Sequence, residues 1–155
     1  MLVFCLVARA APTQRTSKET LSIADALMAQ GMQDSARVIL RSALKSDSMN
    51  VDLWLRLAKV ERKRGRASAR SNALNRVFRL SPRTVEGRIE LVPDLLDRNR
   101  TDSALVMAKQ AVALGHAIDP LGWYWLGRAY QLSAQFDSAS AAFQQAYKLL
   151  GDDTY

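Results

Sequence analysis

The sequence predicts an all-α chain made of repeated helical hairpins, and three observations carry that expectation. Trp123, Leu126, Gly127 and Tyr130 recur at three and four residues, and Ala139, Phe143 and Ala146 do the same further on. That spacing puts each set on one face of its own helix. The tripeptide Asp-Ser-Ala occurs at Asp34 to Ala36, Asp102 to Ala104 and Asp137 to Ala139, first 68 residues apart, or twice 34, and then 35. Only seven Gly and four Pro stand against many Ala, Leu, Arg and Gln. Such a composition favours helices, and no window alternates as strictly as a half-buried strand would.

The intervals from Trp123 to Ala146 are those of the pattern W-x2-L-G-x2-Y…A-x3-F, so this stretch resembles the tetratricopeptide repeat, a helix-turn-helix unit of 34 residues. The resemblance implies an α-solenoid of four stacked helix-turn-helix repeats wound into a right-handed superhelix. It also implies that the first helix of each unit lines an inner groove and the second forms the outer surface. Gly127 and Ala139 are small where two helices must approach, and Trp54 and Trp123 are expected to fill space beside such crossings. The Asp of each Asp-Ser-Ala is expected to accept hydrogen bonds from the free N–H groups opening its helix.

Residues 1–16 read as an apolar leader and a linker. Met1 to Ala11 ends in small residues, and Ala8-Arg9-Ala10 fits the small-x-small rule for signal cleavage. The run is too short to span a bilayer and has no preceding positive charges. Two readings stay open: a clipped signal peptide of an exported protein, periplasmic or secreted, or an apolar helix covering the first repeat of a cytoplasmic one. Cys5, the single cysteine, excludes an intramolecular disulfide and a cysteine-built zinc site.

The repeats are expected at about 17–50, 51–84, 85–119 and 120–153. In the first, Ile23, Ala24 and Leu27 face Ala36, Leu40 and Ala43, with Gly31 at the turn. In the second, Trp54, Leu57 and Ala58 match the pattern, Gly65 closes the first helix and Pro82 follows the second. Two departures stand out there. Glu61 occupies a usual aromatic position, and Arg70 falls where the small residue belongs, which should loosen or shift that helix. In the third, Leu91, Val92 and Leu95 face Ala104, Ala108 and Ala111, and Pro93 should kink the helix that contains it. In the fourth, Asp119 caps a helix opened by Pro120. The last helix should leave an apolar side uncovered, including some of Ala142, Tyr147, Leu149 and Leu150, and so invite self-association or a docking partner.

The net charge of +7 is uneven. Residues 51–84 hold ten basic residues against Asp52 and Glu61, a net of +8, so the rest of the chain carries −1. Local charge of this kind speaks about partners rather than fold. Arg56, Lys59 and Lys63 should lie in the groove, followed by Glu90 in the next first helix and by Tyr124, Trp125 and Arg128 in the last. Cations, carboxylates and aromatics in that order would hold a peptide or protein partner carrying acidic segments. The plainer reading pairs Arg56 and Lys59 with Glu86 and Glu90, surface contacts contributing about 0–1 kcal/mol each.

Some members of this family hold chaperone C-termini in a clamp of Lys and Asn. The matching positions here are Leu21, Asp25, Glu86 and Glu90, so that ligand does not carry over. His116, the only histidine, has no companion for a metal and reads as a helix-terminal turn residue. No phosphate-binding loop, nucleophile elbow or H-E-x-x-H occurs, so neither an enzyme nor a cofactor is expected. The expected function is a protein-interaction scaffold or adaptor. The alternatives are a nucleic-acid binder using the basic second repeat, with nucleic acid the less favoured partner, and a fragment of a larger repeat protein.

Overall fold

The computed structural model describes residues 15–151 except 116. The leader with Cys5, and His116, therefore lie outside the described residues. Those residues form eight helices and no strand: α1 (Ser17–Ala29), α2 (Gln33–Ser46), α3 (Val51–Lys63), α4 (Ala67–Leu80), α5 (Val85–Asp97), α6 (Thr101–Leu114), α7 (Pro120–Leu132) and α8 (Phe136–Gly151). Consecutive helices pair as hairpins, α1 with α2 through α7 with α8. Each first helix also touches the next first helix, giving an α-solenoid of four units.

Sequence chemistry repeats with the fold. Each first helix has a side-chain cap: Thr16 accepts from Glu19 N, Asn50 from Leu53 N, Thr84 from Gly87 N and Asp119 from Leu121 N. Such caps occupy N–H groups that helix geometry leaves free. The second helices behave differently. Met32, Arg66 and Arg100 precede α2, α4 and α6 and make no side-chain cap. Asp34 and Asp102 already lie in the first helical turn, as does Asp137 in α8, so the expected capping by Asp is corrected: they complement the helix dipole from inside. Ser68 likewise lies within α4 rather than at its cap.

The turn inside every hairpin places one residue in the left-handed region, at Gly31, Gly65, Asn99 and Ala134. Glycine accepts that backbone without strain, whereas alanine does so at a cost of about 1–2 kcal/mol. A side chain added at Gly31 or Gly65 would meet no atom within 4 Å, so only backbone strain is at issue there. Ala134→Gly should therefore raise stability by about 1 kcal/mol and Gly65→Ala lower it by about as much, read as opposite shifts of the thermal midpoint.

Small residues set the helix crossings. Ala24 and Ala36 are fully buried in the first hairpin, as are Ala104 and Ala108 in the third. In the fourth, a Cβ on Gly127 would stand 2.6 Å from the Phe143 ring. Trp54 and Trp123 occupy matching niches, each half-buried and donating its indole N–H to a carbonyl six residues back, Ser48 and Ala117, at 2.9 Å. Helix α5 continues through Pro93, which is buried. Gly127→Ala should cost about 1–3 kcal/mol by overpacking, outweighing the gain in helix propensity of about 1 kcal/mol. Adding Phe143→Leu should restore part of that loss in a denaturation series.

The apolar core falls into two clusters. One joins α1 to α4 around Leu40, Leu53, Ala58 and Leu74. The other joins α5 to α8 around Val92, Leu95, Ala104 and Leu126. Between them, α4 and α5 touch more sparsely than the helices at the other two hairpin junctions. Arg70 accounts for part of this. It holds the position taken by Ala36, Ala104 and Ala139 elsewhere, and at 4% exposure it brings a guanidinium where those units bring a methyl group.

Candidate interaction site

The junction between the second and third hairpins is ionic. Arg70 Nη2 lies 2.6 Å from Asp94 Oδ1, and Arg98 Nε lies 3.2 Å from the other oxygen of Asp94. Glu90, 3% exposed, faces Arg62 at 3.4 Å and Lys59 at 3.9 Å. Several of these buried atoms, among them Arg70 Nε and Nη2, Arg62 Nε and Glu90 Oε2, have no aligned hydrogen-bond partner. Burial, with Arg62 close by, pushes the Arg70 pKa down; Asp97 and Glu90 oppose that shift. Buried pairs of this kind add little net stability, but breaking one strands the other charge at a cost of about 3–5 kcal/mol. Asp94→Ala should therefore destabilise the chain by about 3 kcal/mol, and Asp94→Ala with Arg70→Ala by clearly less, in a double-mutant cycle by chemical denaturation.

A second network ties α2 to α3. Glu61, in the usual aromatic position, accepts from Arg37 Nε at 2.9 Å and from Arg64 Nη1 at 2.8 Å, and Arg64 also reaches Asp34. The hydrogen bond to Glu61 holds the Arg64 pKa above its ordinary value. Of these contacts the sequence pointed only to Lys59 with Glu90. Two carboxylates one turn apart in α5, Glu90 and Asp94, together with an arginine at a small-residue position, were the available signal.

The residues expected to form the groove separate accordingly. Arg56 is held by Asp25 of α1 rather than by Glu86, and burial lowers its pKa against the opposing pull of Glu90. Lys59 pairs with Glu90 as the plainer reading expected. Glu90 is corrected from a groove contact to a buried partner of Lys59 and Arg62, because α5 turns it into the junction. Lys63 is exposed, and Arg128 is half-buried and donates to Gln131 Oε1 at 2.9 Å. Tyr124 is 42% exposed, meets Trp125 edge-on at 5.1 Å and lies 6.0 Å from Phe143. Trp125 rests partly on the second core cluster.

Among the described residues, α8 packs against α7 alone. Phe136 is 68% exposed and Tyr147 79%, and with Gln131, Phe143 and Gln144 they line a shallow cleft of about 520 Å³. Leu150 is exposed as well, while Ala142 is buried. Among the described residues no group of three or more His, Cys, Asp or Glu is placed to hold a metal, and no helix is long and apolar enough to cross a membrane.

Capped first helices, left-handed turns and small crossing residues, repeated four times, define an α-solenoid of tetratricopeptide type. The tetratricopeptide repeat family matches residues 122–149, so the fourth hairpin is such a repeat. Solved structures agree on the fold. A thermophilic tetratricopeptide protein of Thermus thermophilus is 23% identical with a TM-score of 0.73, covering 86% of this chain and 74% of that one. MamA of Desulfovibrio magneticus RS-1 is 20% identical with a TM-score of 0.69, covering 85% and 74%. PilF of Pseudomonas aeruginosa is 16% identical with a TM-score of 0.76, covering 85% and 60%. Comparison with curated protein sequences finds no significant match.

Proposed function

We propose that the chain is a non-enzymatic scaffold that binds a peptide or protein partner along the face of its first helices. The observation that carries this is the Tyr124 and Trp125 pair on α7. The repeat pattern does not require either residue, and Tyr124 is left exposed in a fixed edge-on contact. Rigid, half-exposed aromatics are the side chains that most often anchor an interface. Lys63 and Arg128 add positive charge to that face, and Arg56 and Lys59 extend it in paired form. The partner segment is accordingly acidic with an apolar anchor. The nucleic-acid reading is weakened because Arg56, Lys59, Arg62, Arg64 and Arg70 are each held by a carboxylate of the chain itself. Selection from a random peptide library should enrich acidic segments with one aromatic or aliphatic anchor. Tyr124→Ala should weaken the selected binders by about tenfold or more. Binders indifferent to Tyr124→Ala, or no enrichment at all, would sink the proposal.

The exposed apolar face of α8 supports a second contact, between copies of the chain. Phe136, Phe143 and Tyr147 present a contiguous apolar face where each earlier hairpin is covered by the next. Sedimentation should show concentration-dependent association that Phe136→Glu with Tyr147→Glu abolishes. A single monomeric species at high concentration would count against it.

A further inference from the structure

The second helices carry a cleft of their own. No Cα of α2 lies within 8 Å of one in α4, and the gap between them is floored by α3. Its volume is about 490 Å³. Leu44, Trp54, Leu57, Ala69 and Ala73 contribute an apolar floor, and the walls are cationic. Arg37, Arg41 and Lys45 follow one another at four-residue steps along α2, about 6 Å apart, and Arg76 of α4 faces them. Arg41 and Lys45 are exposed and make no ion pair among the described residues. The one carboxylate at the cleft, Glu61, is buried and already shared by Arg37 and Arg64.

We propose that this cleft docks an acidic amphipathic helix of a partner protein. Glutamates four residues apart along that helix would meet Arg37, Arg41 and Lys45 in register, while its adjoining leucine stripe covers the apolar floor. Charge complementarity selects an anionic occupant, and the apolar floor selects one with aliphatic side chains between its charges. A nucleic-acid strand fits less well. A base would stack on Trp54, but the Arg76 guanidinium already lies 5.7 Å from the centre of that ring.

The test is calorimetric titration of the full chain with a sixteen-residue peptide bearing glutamates at every fourth position and leucines between them. Arg41→Glu with Lys45→Glu should weaken binding by about tenfold or more, because like charges then face each other across the contact. Arg79→Glu with Arg83→Glu, which removes equal charge from the exposed end of α4 and the turn after it, should change affinity less than about threefold. Tyr124→Ala should leave it unchanged, which separates this cleft from the face of the first helices. Circular dichroism of each variant checks that the fold is retained. Absence of binding, or equal losses in the two charge-reversal variants, would overturn the proposal. So would tighter binding of a sixteen-nucleotide single strand that the peptide cannot displace.

Discussion

Close approach of the two helices within each hairpin is the constraint on which the stack depends. Small buried residues stand in every hairpin: Ala24 and Ala36, Ala58 and Ala73, Ala104 and Ala108, Gly127 and Ala139. Where at least one partner is alanine or glycine and the other is apolar, dispersion contacts close the crossing without a polar group to satisfy. The second hairpin breaks that rule on one side only. Ala58 remains fully buried, so α3 and α4 still pack as a hairpin, while the Arg70 guanidinium is carried outward to Asp94. Accommodation of one long side chain thus leaves the hairpin intact and converts its junction with the next one from apolar to ionic.

That conversion shapes the electrostatics of the molecule. The second repeat holds most of the excess positive charge, yet much of it is returned to carboxylates, to Glu61 within the repeat and to Asp25, Glu90 and Asp94 of neighbouring helices. Such contacts constrain alignment more than they add stability, because Coulomb attraction between buried groups is offset by their desolvation. They also divide the surface into neutralised and available cations. Lys63, Arg41 and Lys45 belong to the second class, and they lie on two different faces.

Periodicity in the sequence identified the helical hairpins, because apolar spacing reports which side of a helix meets its neighbour. The Trp54 and Trp123 niches and the cap at Asp119 were legible for the same reason, being local features repeated at a fixed interval. Depth was not legible. Glu90 occupies a position that in an isolated helix would face the groove, and only the proximity of Lys59 and Arg62 draws it inside. Asp34 looked like a cap because aspartate commonly is one, but α2 begins one residue earlier and Arg64 of the next hairpin donates to the side chain. The cleft between α2 and α4 could not be read at all, since its walls come from helices separated by a third and its width depends on how far apart their backbones stand.

Helix α3 connects the two proposed surfaces and explains why they can act separately. Trp54, Leu57 and Glu61 succeed one another at three and four residues, and Arg56, Lys59 and Lys63 do the same two positions later. An offset of two residues turns a helix by about 200°, so the two sets point in nearly opposite directions. The first set floors the cleft between α2 and α4, while the second carries the cations of the first-helix face. A change in one set alters little of the local field at the other, because backbone and packed side chains stand between them. On α3 the ionic junction with α5 involves Lys59 of the second set and its neighbour Arg62, and on α4 it involves Arg70, next to the cleft residue Ala69.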